Sequence, residues 1–316
     1  MSWRIDLPLI GGGGEAVDFA RTIHSHGVAS LPPAAVGDDV LEVTLPTSSR
    51  PYMVAVRPTA PDLAMIEGAG RIPARRVRDE IAGRVAYLLR LDEDLSEFYA
   101  LVEGDVELSW ATAGAGRMMR SGTVFEDLVK TICTTNCSWS ATVRMVSRLV
   151  EHLGEPAADA PPSGPRGRTF PTPAVMAAAD DAFYREVVRA GYRGAYLRDL
   201  AARVASGELD LERLGRADAS QVGDDELEVR LLALPGVGPY AAAHLMLMLG
   251  RYSRLILDSW TRPTFVRIAG MRRAKDSTIE RRFRRYGRYA GLAFWLYLTR
   301  GWLAPASVPV ESESAV

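Results

Sequence analysis

The apolar and polar positions divide the chain into two kinds of pattern. Residues 1–70 read as mixed structure, in which Leu41-Glu42-Val43-Thr44-Leu45 and Tyr52-Met53-Val54-Ala55-Val56 are short strand candidates with turn residues between them. From about Arg75 to Leu101 the pattern becomes helical, with an Asp-rich break before Leu95-Ser-Glu-Phe-Tyr. From Thr123 onward the chain reads as helix after helix. Thr123 is expected to cap the run Val124 to Thr131, with Glu126 at the reciprocal capping-box position. Residues 155–168, rich in Pro, Gly and Ala, read as a surface loop, and Phe170-Pro-Thr-Pro leads into a further helical set. The tail from about Pro305 is expected to be disordered. The expected organisation is an N-terminal mixed domain over 1–115, a helical core over 116–304 and a tail over 305–316, with no internal repeat.

Composition narrows the class. A chain of 316 residues, 47% hydrophobic and 24% charged, has an ordinary globular balance. No apolar stretch is long enough for a membrane span, and the start, MSWRIDLPLIGGGG, lacks the basic-then-apolar order of a signal peptide. Cys133 and Cys137, expected in one helix, are the two cysteines of the chain. Two cannot build a four-cysteine cluster or tetrahedral zinc site, and a disulfide scaffold is equally unexpected, so a reducing cytoplasm is the expected compartment. His24, His26, His152 and His244 show no metal-ligand spacing. The net charge of −1 conceals an asymmetry: Arg262 to Arg300 holds eleven basic residues against Asp276 and Glu280. That stretch suits either a polyanion-facing surface or a solvated helix face.

The most informative segment is Leu231-Leu-Ala-Leu-Pro-Gly-Val-Gly-Pro-Tyr240-Ala-Ala-Ala-His-Leu-Met-Leu-Met-Leu-Gly250. A helix ends near Leu234, and Pro235-Gly236-Val237-Gly238 makes a tight hairpin that calls for glycine at positive φ. Pro239 suits the first turn of a new helix, which Gly250 ends. Backbone amides without side chains then front a helix N-terminus, a good place for a phosphate. Such amides position a nucleic-acid backbone and read no bases. A plain helix-helix turn is the competing reading. Beyond Gly250 comes Asp258, in Arg254-Leu-Ile-Leu-Asp-Ser-Trp260, an acid at the end of an apolar run. It is either a functional carboxylate or a helix cap.

Leu-Pro-Gly-Val-Gly-Pro-Tyr followed by a lone Asp at this distance resembles the helix-hairpin-helix DNA glycosylase superfamily, in its 8-oxoguanine and alkylpurine (3-methyladenine) branches. Three further motifs agree in order over residues 85–300. Phe125 to Asn136 resembles the helix that supplies a strand-invading Asn, Ala190-Gly-Tyr-Arg193 resembles a Gly-Tyr-Arg turn, and Tyr289-Ala-Gly-Leu-Ala-Phe294-Trp-Leu resembles the late pocket helix. The resemblance implies an α+β protein: a small N-terminal antiparallel β domain before a mostly α-helical core, with the helix-hairpin-helix near 225–250. Where bifunctional members carry a lysine nucleophile this chain has Tyr240, as in the alkylpurine branch, and its two lysines, Lys130 and Lys275, lie elsewhere. The Arg and pocket Gln of 8-oxoguanine enzymes fall on Ala141 and Phe294, and the iron–sulfur cysteines of the endonuclease III branch are absent.

The resemblance therefore implies a monofunctional glycosylase of base excision repair, working as a monomer on damaged duplex DNA near the nucleoid. Asp258 is its expected catalytic carboxylate. Tyr240, His244, Phe294 and Trp295 are the expected base pocket, while Trp139 and Trp260 are expected in the core. Asn136, Arg193, Pro235, Gly236, Val237 and Gly238 are the expected DNA contacts. No organic cofactor is expected; a monovalent cation (Na or K) on the carbonyls of Leu232, Leu234 and Val237 is implied by the resemblance alone. An alkylated purine is the leading substrate, because a cationic base stacks well on aromatic faces. An oxidised or deaminated base, and a non-catalytic DNA-binding role, are the alternatives.

Overall fold

A computed structural model describes residues 2–303, and the expected tail over 305–316 lies outside the described residues. Five strands form one sheet: β1 (Ser2–Pro8), β2 (Ala34–Gly37), β3 (Val40–Leu45), β4 (Tyr52–Ala60) and β5 (Leu63–Ala69). Their order is β1-β5-β4-β3-β2, antiparallel throughout, with register pairs such as Ile5↔Ile66 and Leu41↔Val56. The short helix α1 (Phe19–Ile23) sits in the β1–β2 connection, and α2 (Arg75–Leu88) follows the sheet. Alternation along the strands turns Trp3, Leu7, Leu41, Val43, Val54, Val56 and Ile66 inward. Val77, Ile81, Val85 and Leu88, one stripe of α2, close that core.

The helical part runs through α3 (Ser96–Val102), α4 (Val124–Thr134), α5 (Trp139–Leu153), α6 (Pro173–Ala178), α7 (Arg193–Ala205), α8 (Leu211–Arg216), α9 (Asp224–Leu232), α10 (Pro239–Met248), α11 (Thr261–Ile268), α12 (Asp276–Phe283) and α13 (Ala290–Thr299). Two helices, α10 and α13, are apolar around most of their circumference, so they are central and buried on all sides. Helix α10 contributes to both helical cores. One face packs with α4, α5 and α7, the other with α3 and α11–α13. Among the described residues no helix is long and apolar enough to cross a membrane.

Three expectations need correction. The boundary placed after residue 115 does not follow the packing, because Leu95, Phe98, Val102, Leu108 and Ala111 join the core of α11–α13, while the sheet's core runs to Leu91 and then takes in Met119. Cys137 lies beyond the end of α4, so only Cys133 is helical. Thr123 does cap α4, its hydroxyl accepting from Glu126 N at 3.1 Å. Glu126, however, reaches back to Gly122 N at 3.2 Å and pairs with Lys130 at 2.7 Å, because the buried ammonium competes for its carboxylate.

Candidate active site

The hairpin between α9 and α10 uses its glycines differently. Gly236 has φ +77°, and a methyl there would meet Tyr196 Cδ2 at 2.9 Å. Gly238 has φ −104° and ψ −176°, extended backbone that any residue adopts, and a methyl there would point into open space. Pro239 opens α10 and no side chain caps its first turn. The Tyr240 and Ala241 amides thus lack acceptors inside the helix, and Gly238 ahead of them carries no side chain.

The loop after Gly250 returns beneath α13. Gly291 N donates to the Tyr252 carbonyl at 2.6 Å, and a side chain at Gly291 would strike the Arg254 carbonyl at 2.1 Å. This close approach fixes the segment that ends in Asp258. The Asp258 carboxylate is half-buried, and its Oδ1 accepts from Trp260 N at 2.8 Å and Thr261 N at 2.6 Å. Thr261 returns a bond from its side chain, accepting from Asp258 N at 2.8 Å. Asp258 is therefore a cap of α11, and the two readings of it coexist: Oδ1 is spent on orientation, whereas Oδ2 has no hydrogen-bond partner among the described residues.

Tyr240 stands beside this acid. Burial raises its phenol pKa; the Thr134 hydroxyl, 3.4 Å away, opposes that shift and the Asp258 carboxylate adds to it. Tyr240 packs edge-on against His244 with centroids 5.8 Å apart, and His244 against Trp295 at 6.3 Å. Trp295 continues to Trp260 at 5.7 Å and to Trp302 at 5.9 Å, both partly exposed. An aromatic wall thus runs from the hairpin past Asp258 to the surface. Phe294 must be removed from the expected pocket. It packs on Phe265 and Phe283, centroids 6.3 and 5.1 Å, because consecutive helical residues point about 100° apart. Trp260, expected in the core, belongs to the wall instead, and Trp139 is also half exposed. Sequence reasoning missed Trp302 and His26, the latter edge-on to His244 at 5.6 Å.

Asn136 lies just past α4, exposed, with φ +48°, and its Nδ2 donates to Tyr192 Oη at 3.3 Å. Arg193 is not at the surface. Its guanidinium is buried, donating to the Thr135 carbonyl and, at 3.3 Å, to the Thr135 hydroxyl, with the Tyr192 ring 4.6 Å away. It holds the turn that displays Asn136. The basic stretch is partly neutralised: Arg262 pairs with Asp276, Arg282 with Glu107, Arg285 with Asp105, and Arg288 with Glu97. Arg267, Arg272, Arg273, Lys275, Arg281 and Arg284 remain exposed with no carboxylate partner among the described residues. Lys130 is buried and bonds the Leu31 carbonyl at 3.1 Å.

A cleft of 660 Å³ opens beside the hairpin, lined by Pro239, Tyr240, Ala243, Leu257, Arg262 and Asp276. A larger concavity of 940 Å³ runs between sheet and helices, past Tyr87, Asp127, Lys130 and Glu212, and shares no residue with the aromatic wall. At the C-terminus of α9 the Leu234 carbonyl accepts from Val237 N at 3.2 Å, while those of Leu232 and Val237 accept no backbone donor outside the helices. These are hard oxygen donors of the kind a monovalent cation takes. Among the described residues no cluster of His, Cys, Asp and Glu has metal-binding geometry.

No protein-family model matches the chain, and no curated protein sequence matches it. Solved structures do. The 3-methyladenine DNA-glycosylase from Archaeoglobus fulgidus aligns with a TM-score of 0.69 and 20% identity, covering 95% of this chain and 99% of its own. MBOgg1, solved with a low-affinity DNA ligand, aligns at 0.69 and 21%, covering 94% and 95%. The Clostridium acetobutylicum 8-oxoguanine glycosylase/lyase, in its apo form, aligns at 0.61 and 19%, covering 85% and 99%. The chain therefore has the fold of these DNA glycosylase structures.

Proposed function

We propose that the chain is a monofunctional DNA glycosylase that releases a damaged, alkylated purine from duplex DNA. The observation that carries this reading is the Asp258 carboxylate. Two backbone amides pin one oxygen and leave the other free beside Tyr240 and an aromatic wall. An extruded base stacks on that wall, and a cationic base gains cation–π attraction there. The C1′–N bond then breaks, its electron pair leaves with the base, and positive charge develops on the sugar. Asp258 stabilises that charge and orients a water, which adds to C1′ and loses a proton. The products are the free base and an abasic site.

The surrounding parts support the same reaction. Open amides at the hairpin hold a phosphate of the DNA backbone, with exposed arginines from α11 and α12 near by. Cation-bearing carbonyls of Leu232, Leu234 and Val237 would add positive charge at the same place. Asn136 on its braced turn enters the space the base leaves. With Tyr240 where a lysine would serve as nucleophile, water is the acceptor. Fold does not choose the lesion, since the 3-methyladenine and MBOgg1 structures align equally well. The uncharged aromatic wall favours the alkylated purine. DNA of this kind is met in the cytoplasmic nucleoid. The test is a panel of duplexes, each with one lesion, scored for abasic sites: base release is expected for alkylated purines, and binding without release from any of them would contradict the proposal.

A further inference from the structure

His244, a member of the aromatic wall, pairs with His26, and the reaction above uses the ring nitrogens of neither. They come from opposite ends of the chain, His26 from the connection after α1 and His244 from α10. Their rings meet edge-to-face at an interplanar angle of 85°. Nε2 of His26 donates to the Met119 carbonyl at 2.8 Å, which leaves Nδ1 of the neutral ring as an acceptor. That Nδ1 is buried without a partner, and so are both ring nitrogens of His244. Protein interiors rarely leave three such atoms together, and a group so left usually has a function or an unseen partner. Burial keeps both rings neutral, pushing His26 down to about 3 and His244 down to about 4. Neutral imidazoles offer acceptors and one free N–H where His244 sits in the wall between Tyr240 and Trp295, with His26 packed against it.

We infer that His244 and His26 read the edge of the extruded base, and that the preferred substrates are damaged purines that keep an N–H donor on that edge. The inference rests on the glycosylase reading. Aromatic walls accept any planar base, whereas an acceptor nitrogen without water discriminates by chemistry. A base bearing an exocyclic amino group or a ring N–H gives His26 Nδ1 and His244 the bonds they lack. A base whose amino group is tied into a ring, such as 1,N6-ethenoadenine, brings only acceptors and leaves these nitrogens unmatched. Neutral acceptors also admit a cationic alkylpurine without repulsion. Because the nitrogens are enclosed, the base enters as Trp260 and Trp302, the partly exposed members of the wall, move aside.

The experiment measures single-turnover base release from duplexes carrying 3-methyladenine, 7-methylguanine or 1,N6-ethenoadenine, using the full chain and two variants. His244→Phe keeps an aromatic ring and removes both nitrogens; His244→Gln keeps a donor and an acceptor. Wild-type protein is expected to favour the two donor-bearing bases. His244→Phe should lower their release by roughly tenfold to a hundredfold, the effect of one or two lost buried hydrogen bonds, and lower ethenoadenine release by a clearly smaller factor, because the ring is kept and no hydrogen bond to that base is lost. His244→Gln should restore part of the loss, which excludes mere misfolding. Equal wild-type rates on all three bases, or an equal drop for all three in His244→Phe with no rescue by Gln, would overturn the inference while leaving the glycosylase reading intact. Failure of wild-type protein to release any base would overturn both.

Discussion

Replacing Gly238 by alanine separates folding from DNA binding at the hairpin. The backbone there is extended, with φ −104°, and no atom lies within 4 Å of the added methyl. The folded state thus accepts alanine without strain, and the unfolded chain loses freedom, so stability should rise by about 0.4–1 kcal/mol. The same methyl enters the open space ahead of α10, where a DNA phosphate is proposed to sit. Losing one amide bond to a charged phosphate costs about 1.5–3 kcal/mol, or about tenfold to a hundredfold in Kd. Phosphate contacts carry no sequence information, so damaged and undamaged duplexes should weaken alike. The salt slope should stay unchanged, because no lysine or arginine is removed. Fluorescence anisotropy at two salt concentrations, beside thermal melts, reads all three quantities. Gly236→Ala is the control: at φ +77°, with Tyr196 at 2.9 Å, alanine should destabilise by about 1–2 kcal/mol. Wild-type affinity in a stable Gly238→Ala protein would refute a phosphate at this turn.

Two further outcomes follow from buried groups. Lys130 is enclosed and paired with Glu126 at 2.7 Å, and Lys275 lies ahead of α12, outside the hairpin motif where Tyr240 stands; borohydride should trap no covalent complex, and a trapped band at a yield matching base release would show an amine nucleophile. Stability should depend on pH below neutrality: His26 and His244 titrate near 3 and 4 when folded but near 6.5 when unfolded, so the unfolded chain gains two protons as pH falls through 6.5. Asp127, pushed up to about 6 by burial, opposes this, since the folded chain keeps one extra proton between about pH 6 and 4. These groups together give a net loss of about 1.4 kcal/mol per pH unit over that window, measured by denaturant midpoints, and His244→Phe should nearly flatten it; an unchanged slope in that variant would contradict the neutral pair.

The hairpin was legible in the sequence because its chemistry is local. Pro-Gly-Val-Gly-Pro fixes a turn and a helix start within five residues, and Asp258 follows at the end of an apolar run. Strands β3 and β4 were legible from β-branched runs, whereas β1, β2 and β5 were not read at all. What escaped depends on rotation and on distant partners. Phe294 and Trp295 are neighbours in sequence, yet one faces the core and the other the aromatic wall, and no spacing argument chooses between them. Trp260 was expected in the core, but the cap at Asp258 precedes it and its ring is partly exposed. His26 gains meaning only when the fold sets it against His244. The charge count over 262–300 missed the partners at Glu97, Asp105 and Glu107, which neutralise part of that surface from another element. Arg193 was expected as a DNA contact, but its guanidinium is buried and holds Thr135.

The most direct test of the central claim is base release by Asp258→Asn. Asparagine keeps the shape and the amide-facing oxygen that caps α11, and removes the charge proposed to stabilise the sugar. Wild-type protein should convert an alkylated-purine duplex to abasic sites, seen as strand breaks only after hot alkali. Asp258→Asn should bind the same duplex with nearly unchanged affinity and release base at least about a hundredfold more slowly, the loss expected for one electrostatic group acting on the transition state. Release by Asp258→Asn at the wild-type rate would contradict the assignment of this carboxylate and the mechanism built on it.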